Sequence, residues 1–533
     1  MPLWGDYMPS GIQQPTRIQT PDSGFLGIDT ASEPTSLSIA RSRRLHNAYQ
    51  GKLRAITKRP GSVPVITTAL GNPIVHLTID PFLNELLASS GTSLYKYAAG
   101  ALTGVTMTNN LVSADIYDED FTNSVLTKRK LITDTGKLKE YDGTAVKEVV
   151  PAADDPSPAP PNVLNDINAK GCKYIWVHNS HVFVSPGTNE MFYSKRYEYD
   201  YFPQTQYFLL VRDGDYINGP GIPFDSVCFV PMRRGWNIIS GVNFDSFDAA
   251  EYLNTINGVI APRSIVGKMT YPNGLQTVPY LSDDGVHEIF NTSPDNRGRY
   301  YSTRSITKDK LDWEAFGFTK VEMSLAIAKY IVEWNMYMLE LSRDGTPYVF
   351  GYDCRNSEWY MWTGLTINSL IEFGGVVYFG GNDGLLKKFD TDLYSDWADK
   401  DKTIGVPVDF DRISGMIWFE DSGYPSTLDY YILRLKQYAV KASLDISIVY
   451  LRGQVEVQEA IQNAYLIWEV GQWDTVAWAN LDYTDLVSSP QRLSTRLKLP
   501  KQAFYFQIRI RNNRNEPVEI YSETLVGRVS GEV

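Results

Sequence analysis

The sequence predicts an all-β protein: a β-propeller of about seven blades, preceded by an extended N-terminal arm and followed by a C-terminal β-sandwich domain. The first observation is a short phrase that recurs through the first four hundred residues, in which a Gly- or Asp-bearing turn leads into an apolar strand that ends in an aromatic residue. The second is that the phrase stops near residue 402, where longer alternating strands begin. A strand-borne repeat of roughly 40–50 residues is typical of propeller blades.

Seven copies of the phrase predict the number of blades. Their turns fall at residues 92, 135, 188, 235, 284, 344 and 383, and the copies at 235 and 344 are the weakest. Three-strand meanders surround several copies, such as residues 269–290 with the turns Asn273-Gly274 and Asp284-Gly285. Asn-Gly and Asp-Gly pairs supply the positive φ angles that tight hairpin turns need.

The phrase also divides the chain into three segments. Residues 1–62 are rich in Pro, Gly, Ser and Thr and are interpreted as an extended arm, with a short helix expected over 36–49. Residues 63–402 hold the repeats. Residues 403–533 show alternating strands, as at 430–436, which favours a separate β-sandwich. Three tryptophans of this last segment are interpreted as core residues, with an interface stripe as the alternative: Trp468, Trp473 and Trp478.

Composition limits the function more than it defines it. The 533-residue chain has a net charge of −12, a pI of about 5.1 and 43% hydrophobic residues, which suits two to four domains with a large core. Such an acidic protein is not expected to wrap nucleic acid as its main task. The three cysteines, Cys172, Cys228 and Cys354, are far apart and odd in number, so a reducing compartment without a disulfide framework is favoured. We expect no signal peptide and no membrane span, since no stretch approaches ~18 apolar residues.

Two places could hold a metal by residue type, but neither pattern favours one. His178 and His181 form an H-x-x-H pair six residues after Cys172, yet they flank a hairpin turn, where we expect the rings on opposite faces. A run of aspartates follows the last phrase, and it lacks the Gly and Glu that an EF-hand loop needs at its sixth and twelfth positions. Its members are Asp390, Asp392, Asp396, Asp399 and Asp401. A polar turn and a solvated acidic linker are the favoured interpretations, so no metal site is predicted.

No catalytic motif is visible, so the chain is predicted to be non-enzymatic, without catalytic residues and without a cofactor. The repeated Asp-containing turn of sialidase propellers has one distant counterpart at 443–447, outside the repeats. A G-x-S-x-G elbow, a P-loop and a C-x-x-C pair are all missing from the sequence.

One basic cluster stands out in this acidic chain, within the arm. We predict it as the segment most suited to a partner or DNA contact, and we favour a strip that faces a protein partner over one that touches DNA. Its members are Arg41, Arg43, Arg44, Arg54, Lys58 and Arg59.

Three sets of residues resemble one known family. The first set is Asn47, Gly51, Leu53 and residues 58–61, which match an N…G-x-L…RPG signature. The second set covers residues 225–231, 236–241 and 258–265, where a G-x-x-A-P-x-S step follows a blade and a strand then closes on Asp284-Gly285. The third set runs intermittently from Phe350 to Asp390 and includes Trp359, Trp362 and Asp383-Gly384. In this order the sets are similar to those of the propeller-based tail hub, nozzle and head–tail stabilisation proteins of bacteriophages.

The resemblance implies a structural role in a virion. It implies a tail nozzle or hub subunit that forms a homo-oligomeric ring, with six-fold symmetry favoured, and extends the conduit for viral DNA without sequence-specific binding. It also implies contacts with other tail proteins, such as an adaptor and a fibre or spike, and assembly into the virion tail after synthesis in the host cytoplasm.

Two alternatives remain open from the sequence. One is a glycan-binding or glycan-cleaving propeller at the tail tip, either an adhesin or a glycosidase. Such a protein would carry exposed aromatic residues around one propeller face and two carboxylates roughly 5–10 Å apart. The other is an ordinary intracellular propeller scaffold, which would not form rings.

Overall fold

In a computed structural model of the chain, the described residues are 16–21, 24–51, 54–156, 159–211, 214–241, 247–248, 250–253, 257–292, 300–418, 426–436, 442–450, 455–463, 491–495 and 505–529. Trp468, Trp473 and Trp478 lie outside them. The described part is all-β and built mainly of antiparallel sheets, with only two short helices, α1 Leu164–Lys170 and α2 Lys320–Ser324. Neither helix combines the length and the apolar character that crossing a bilayer requires.

The strands before the first repeat all belong to larger sheets. They are β1 Thr16–Gln19, β2 Ser42–His46, β3 Ala48–Gln50, β4 Ile56–Lys58 and β5 Gly61–Pro64.

The repeats form seven antiparallel meanders, which we number sheets 1 to 7. Sheet 1 has β6 Ile74–Ile79, β7 Leu86–Ser90, β8 Ser93–Ala98 and β9 Ala101–Gly104. Sheet 2 has β10 Thr106–Met107, β11 Tyr117–Thr122, β12 Lys128–Thr133, β13 Lys139–Tyr141 and β14 Ala145–Glu148. Sheet 3 has β15 Tyr174–His178, β16 His181–Ser185, β17 Glu190–Tyr193 and β18 Tyr207–Leu209. Sheet 4 has β19 Ile222–Phe224, β20 Val227–Pro231, β21 Trp236–Ser240 and β22 Glu251–Leu253.

The last three meanders continue the series. Sheet 5 has β23 Met269–Thr270, β24 Gln276–Ser282, β25 Gly285–Asn291 and β26 Tyr301–Ser305. Sheet 6 begins with β27 Ile327–Ile331, β28 Met336–Arg343, β29 Thr346–Asp353 and β30 Glu358–Thr363. Sheet 7 has β31 Ser369–Phe373, β32 Val376–Gly380, β33 Leu386–Asp390, β34 Ser395–Trp397 and β35 Gly405–Pro407, together with β5.

The recurring phrase occupies the same place in all seven meanders. In every sheet it forms the turn between the second and third strands of the antiparallel meander, as at Gly91-Thr92 between β7 and β8 and at Asp383-Gly384 between β32 and β33. The meander of sheet 2 is counted from β11, because β10 pairs parallel with β14. The turn glycines at these two sites have φ angles of 58° and 69°, which only a residue without a side chain adopts without strain. The aromatic residue that ends the phrase then packs inside, as Phe350 and Phe389 do.

Each meander packs on the next, and the seventh packs on the first. The inner strands make several of these contacts, since β11 touches β15, β15 touches β19, β27 touches β31, and β31 touches β6. Aromatic pairs fill other junctions: the ring of Trp236 in sheet 4 lies 4.9 Å from that of Tyr280 in sheet 5, and Tyr271 of sheet 5 bonds to Tyr352 of sheet 6. The sheet-to-sheet contacts therefore return to their starting point.

Strand β5 joins the two ends of this series. It comes before sheet 1 in the chain, yet it pairs antiparallel with β33, placing Gly61 opposite Asp390 and Pro64 opposite Lys387. The fourth strand of the last meander is thus supplied from the N-terminal side of the chain. Pairing of this kind ties the two ends of the repeat region together through backbone hydrogen bonds.

The remaining strands pair with the arm as well as with one another. They are β36 Phe410–Ser414, β37 Ser426–Leu435, β38 Ala442–Tyr450, β39 Val455–Asn463, β40 Gln491–Thr495, β41 Phe506–Asn512 and β42 Glu519–Val529. A nine-stranded sheet extends sheet 6 in the order β30-β2-β36-β41-β38-β39, and a six-stranded sheet holds β3, β4, β42, β37 and β40, with β1 on β42. One apolar core is shared by the arm, sheets 5 to 7 and these strands, and includes Leu45, Phe389 and Leu525.

The helix expected over 36–49 is wrong, because this stretch contains β2 and β3. Strand β2 lies between β30 and β36, and its Leu45 is fully buried. Long-range pairing on both edges outweighs the weak local preference for a helix. The described part of the arm, residues 24–51 and 54–62 above all, is therefore built into the sheets.

Candidate functional sites: the arm joint and the central cavities

The six cations of the basic cluster are distributed over several partners within the chain. Arg41 makes two hydrogen bonds to Glu358, of 3.1 and 3.0 Å, and Arg43 donates to the backbone oxygens of Thr30 and Ser32. The Arg44 side chain is 45% exposed and its Nε lies 3.1 Å from Asp411.

The other three members differ in their exposure. Lys58 is buried and donates to Asn512 Oδ1 at 2.7 Å and to the backbone oxygen of Arg514. Arg59 is also buried, whereas Arg54 is exposed. A partner molecule cannot reach a buried ammonium or guanidinium group, so the exposed cations of the cluster are Arg44 and Arg54.

Asn47 is the centre of a junction that we call the arm joint, formed by Asn47, Arg59, Pro60, Gly61, Trp362, Thr363 and Asp396. The Asn47 Oδ1 atom accepts from Arg59 Nε at 2.9 Å and from the Thr363 N–H at 2.8 Å. Its Nδ2 donates to Thr363 Oγ1 at 3.1 Å and to the backbone oxygen of Asp409 at 2.9 Å. Asn47 has a φ of 55°, which asparagine tolerates better than most residues. One side chain thus connects the arm to sheet 6 and to the segment before β36.

Arg59 uses its whole guanidinium group within the joint. Its Nη1 donates to Asp396 Oδ1 and to the Pro60 backbone oxygen at 3.0 Å, and its Nη2 donates to Asp396 Oδ2 and to the Thr363 backbone oxygen at 3.3 Å. The guanidinium carbon lies 6.0 Å from the ring centre of Trp362, whose indole N–H donates to Ala48. A buried arginine is tolerated because each donor group meets an acceptor.

Gly61 is required in the joint by the closeness of the neighbouring backbone. Its N–H donates to the Leu393 oxygen at 2.6 Å, and a Cβ atom placed on it would lie 2.2 Å from the Ser395 backbone oxygen. Any larger residue would push β5 away from β33 and β34. The Arg-Pro-Gly sequence therefore couples a charge anchor to a close backbone contact.

A second buried ion pair fastens the C-terminal strands to the arm. Arg412 of β36 and Glu523 of β42 are both fully buried and bonded to each other. Arg412 also donates to Ser42 Oγ at 3.0 Å and to the Ile39 oxygen at 2.7 Å, and it stacks over Phe25 at 4.9 Å. Arm and C-terminal strands are thus held by charge pairs as well as by backbone pairing.

The second set of resemblance residues forms a connection between sheets 4, 5 and 6. Ser264 donates to the Ala261 oxygen at 2.7 Å and accepts from the Leu281 N–H at 2.9 Å. Its own backbone oxygen accepts from the Tyr337 hydroxyl at 3.0 Å. This connection also carries Arg263, which lines both of the cavities described next.

Two cavities, each of about 420 Å³, lie where the inner strands of the sheets meet. The first, which we call the Lys329 cavity, is bordered by β6, β11, β15, β27 and β31. The second, the Lys173 cavity, shares Tyr117, Pro262 and Arg263 with it as a common wall. The Arg263 guanidinium donates to the backbone oxygen of Asn368 at 2.7 Å and to that of Val75. Arg263 therefore lines both cavities and connects its own segment to Val75 of β6 and to Asn368, which precedes β31.

The Lys329 cavity holds several charged groups in unlike environments. Burial alone would raise the pKa of Asp118, but the charges of Lys130 and His76 and the hydrogen bonds from both hold this pKa well below its usual value. Thr78 also donates to Asp118, at 2.7 Å. Burial, reinforced by the Asp118 charge, raises the pKa of Glu119 to about 8. Desolvation lowers the pKa of Lys329, against the charges of Asp118 and Glu119, and its exposed side chain lines the cavity.

Sequence reasoning did not single out the cavity residues, apart from placing Arg263 within a resemblance set. The available signal was local: β27 reads Ile-Ala-Lys-Tyr-Ile and β11 reads Tyr-Asp-Glu-Asp-Phe, so charges interrupt apolar strands. Assigning these charges to a common cavity requires knowing that the two strands, two hundred residues apart, face each other.

The histidine pair behaves differently from the prediction. His178 and His181 are directly opposed across the β15–β16 hairpin, so their rings lie on the same face, where both contact the ring of Phe247 at 5.8 and 5.2 Å. Cross-strand neighbours always share a face. His181 Nδ1 bonds to the Ser194 oxygen. Among the described residues, no group of three or more potential metal ligands is found.

The aspartate run after the last phrase serves local structure. Asp396 is part of the arm joint, and Asp399 accepts hydrogen bonds from the backbone of Thr403 and Ile404. These backbone hydrogen bonds lower the pKa of Asp399.

Comparison with known proteins identifies no family. No family model and no curated protein matches the chain. Among solved structures, it is similar to the computationally designed Ika8 protein, with a TM-score of 0.36 and 10% identity over 61% of this chain and 99% of that chain. It is also similar to the extracellular domain of the hybrid two-component system BT4673 from B. thetaiotaomicron, with a TM-score of 0.40 and 12% identity over 91% of this chain and 62% of that one. At these scores neither similarity bears on fold or function.

Proposed function

We propose that this chain is a non-enzymatic structural subunit of a bacteriophage tail, a nozzle or hub component that forms a ring and joins neighbouring tail proteins. The observation that supports this most is the convergence of the first and third resemblance sets at the arm joint. Asn47 and Arg59 come from one set and Trp362 from the other, more than three hundred residues away, and they lie together. Residues that resemble one family thus share one structural task.

The scaffold we propose is a seven-bladed β-propeller with a C-terminal β-sandwich. Three features support the propeller: the phrase at the same turn of each meander, the contacts that return from sheet 7 to sheet 1, and the completion of sheet 7 by β5. Closure by a strand from the opposite end of the repeat region removes an exposed edge. Support for the sandwich comes from the shared core between the nine-stranded and six-stranded sheets.

The buried cations of the chain support a structural role. Lys58, Arg59 and Arg412 are buried and anchor the arm to other segments, which makes one firmly connected body. We propose that viral DNA passes through the ring rather than through the propeller, because Arg263 spans the propeller centre. A net charge of −12 would keep the subunit from gripping that DNA.

The test is the mass and shape of the assembly that the purified full-length chain forms in solution. Mass photometry and negative-stain electron microscopy should show a ring, and a six-fold ring has six times the 60.2 kDa of one chain. Antibodies to the chain should label the tail of virions. A monomer at every concentration, together with unlabelled tails, would contradict the proposal.

A glycan-binding or glycan-cleaving propeller at the tail tip is the alternative, and one observation favours it. Asp118 and Glu119 line the Lys329 cavity with pKa values displaced in opposite directions, as in many acid–base pairs. Against this, Asp118 is already held by Lys130, His76 and Thr78. Release of reducing sugar from host surface polysaccharide, lost in Glu119→Gln, would favour this alternative over the structural role.

A further inference from the structure

We propose that the Lys329 cavity binds a small organic anion, whose carboxylate or phosphate group is held by the ammonium groups of Lys329 and Lys268. This inference goes beyond the structural role proposed above and does not depend on it.

The position of Lys329 favours binding of a negatively charged group. Lys329 is the middle residue of β27 and is itself exposed, whereas Ala328 before it and Ile331 two residues further on are buried. Its side chain projects into the cavity and has neither a hydrogen bond nor an ion pair with any described residue. Desolvation by its surroundings lowers its pKa, although the nearby charges of Asp118 and Glu119 act in the opposite direction. An anion in the cavity would supply the missing partner.

The carboxylates of the cavity do not balance its cations at neutral pH. Asp118 is engaged by Lys130, His76 and Thr78. Burial and the Asp118 charge raise the pKa of Glu119 to about 8, so this group is mostly protonated at pH 7. The lining residues then carry an excess of positive charge.

Two further cations face the same space. Lys268 lines the cavity and its ammonium group lies 5.6 Å from the ring centre of Phe224, with no ion pair among the described residues. Arg263 is bonded to backbone oxygens that carry no charge, those of Val75 and Asn368. Among the described residues neither cation forms an ion pair at contact distance, although the charges of Asp115 and Glu340 act on Arg263.

The size and lining of the cavity favour an organic anion over a bare inorganic ion. Its volume of about 420 Å³ lies within the ~300–1,000 Å³ range of small-molecule sites and far exceeds one water. Ile265, Ile327 and Leu370 provide an apolar wall. A sugar acid has the matching combination of one charge, several hydroxyl groups and a partly apolar body.

The direct test is isothermal titration calorimetry on the full-length chain with three probes: glucuronate, inorganic phosphate and uncharged glucose. We expect saturable binding of glucuronate, of phosphate or of both, and none of glucose; the stronger anion shows whether a carboxylate or a phosphate is preferred. Lys329→Gln should weaken anion binding at least ~10-fold, the loss of one charge-assisted contact. The matched control Lys308→Gln changes an exposed lysine outside the cavity and should leave binding unchanged.

A second measurement uses the unmodified sequence, in case Lys329→Gln does not fold. A lysine with a lowered pKa is acetylated quickly, and a bound anion should slow acetylation of Lys329 relative to Lys308 by several-fold in mass spectrometry. Absence of saturable anion binding, equal binding of glucose, or acetylation of Lys329 that the anions do not change would overturn the proposal. Ring formation is measured separately by mass photometry, so failure of this proposal leaves the structural role standing.

Discussion

Replacing Arg59 by methionine should destabilise the protein more than any other change in the basic cluster. The Arg59 side chain is 1% exposed and Asp396, its partner, is 20% exposed. Methionine has a similar length but no charge, so Asp396 would keep only the Ser62 hydroxyl, and the Pro60 and Thr363 oxygens would lose a donor. The site would be left with an uncompensated carboxylate in a largely dry environment.

The expected loss in free energy of unfolding follows from the burial of the Arg59–Asp396 ion pair. Removing one partner of a buried ion pair costs about 3–5 kcal/mol, and the partial exposure of Asp396 places the expected loss near ~3–4 kcal/mol. Arg59→Lys keeps the charge but loses the forked geometry, so we expect about 1–2 kcal/mol. Adding Asp396→Asn to Arg59→Met should restore part of the loss, because the unpaired charge is then gone.

Equilibrium unfolding in guanidinium chloride measures these differences, with tryptophan fluorescence as the probe because Trp362 lies beside Arg59. Arg44→Met is the matched control. Its side chain is 45% exposed, and Asp411 keeps two 2.8 Å hydrogen bonds from Arg509, so we expect a change below about 1 kcal/mol. Equal stability of the Arg59→Met and Arg44→Met variants would refute the role given to the arm joint.

Three further predictions test other parts of the structure. The pKa of Glu119 is raised from 4.5 to about 8, so its contribution to stability is full below pH 4.5 and lost as pH rises through 8. Between pH 5 and 9 the unchanged chain should therefore lose more free energy of unfolding than the Glu119→Gln variant does, by on the order of 3–5 kcal/mol. Unfolding titrations at several pH values measure this difference, and parallel pH profiles of the two proteins would argue against it. Gly61→Ala should lower the free energy of unfolding by about 2–3 kcal/mol, because its Cβ would lie 2.2 Å from the Ser395 oxygen. Gly71 has open space around it, so Gly71→Ala should change the melting temperature little. Equal melting temperatures of the two variants would count against the close contact. Arg412→Met should cost about 3–5 kcal/mol and expose the arm to protease digestion, and an arm that stays resistant would show that backbone pairing alone holds it.

Local chemistry explains what the sequence could predict about the fold. A turn such as Asp383-Gly384 needs a positive φ at its glycine, and this requirement depends on no distant residue. The alternation of the strands that follow is equally local. The all-β class and the seven meanders could therefore be predicted from patterns of a few residues each.

Pairing between distant strands could not be predicted in the same way. The partner of β5 is β33, more than three hundred residues along the chain, and backbone hydrogen bonds leave no pattern in side chains that names a partner. The same reason explains the wrong helix over 36–49, where β2 is held by β30 and β36. From the sequence alone, the basic cluster suggests an exposed strip, because the carboxylates of Asp396 and Glu358 that neutralise part of it are distant in the sequence.

The Lys329 cavity depends on the packing of several sheets together. Lys329 and Glu119 lie on the inner strands of sheets 6 and 2, and no spacing in the sequence relates them. Their displaced pKa values arise mainly from desolvation by neighbouring sheets that are distant in the sequence. Candidate sites of this kind become visible only in three dimensions.

Cryo-electron microscopy of the purified full-length chain, under conditions in which mass photometry detects rings, tests the central claim most directly. The account predicts a closed ring whose subunits each contain seven blades, with β5 completing the last blade and with the propeller centre blocked at Arg263. A reconstruction of isolated monomers, or one in which residues 61–64 lie away from the seventh sheet, would contradict it.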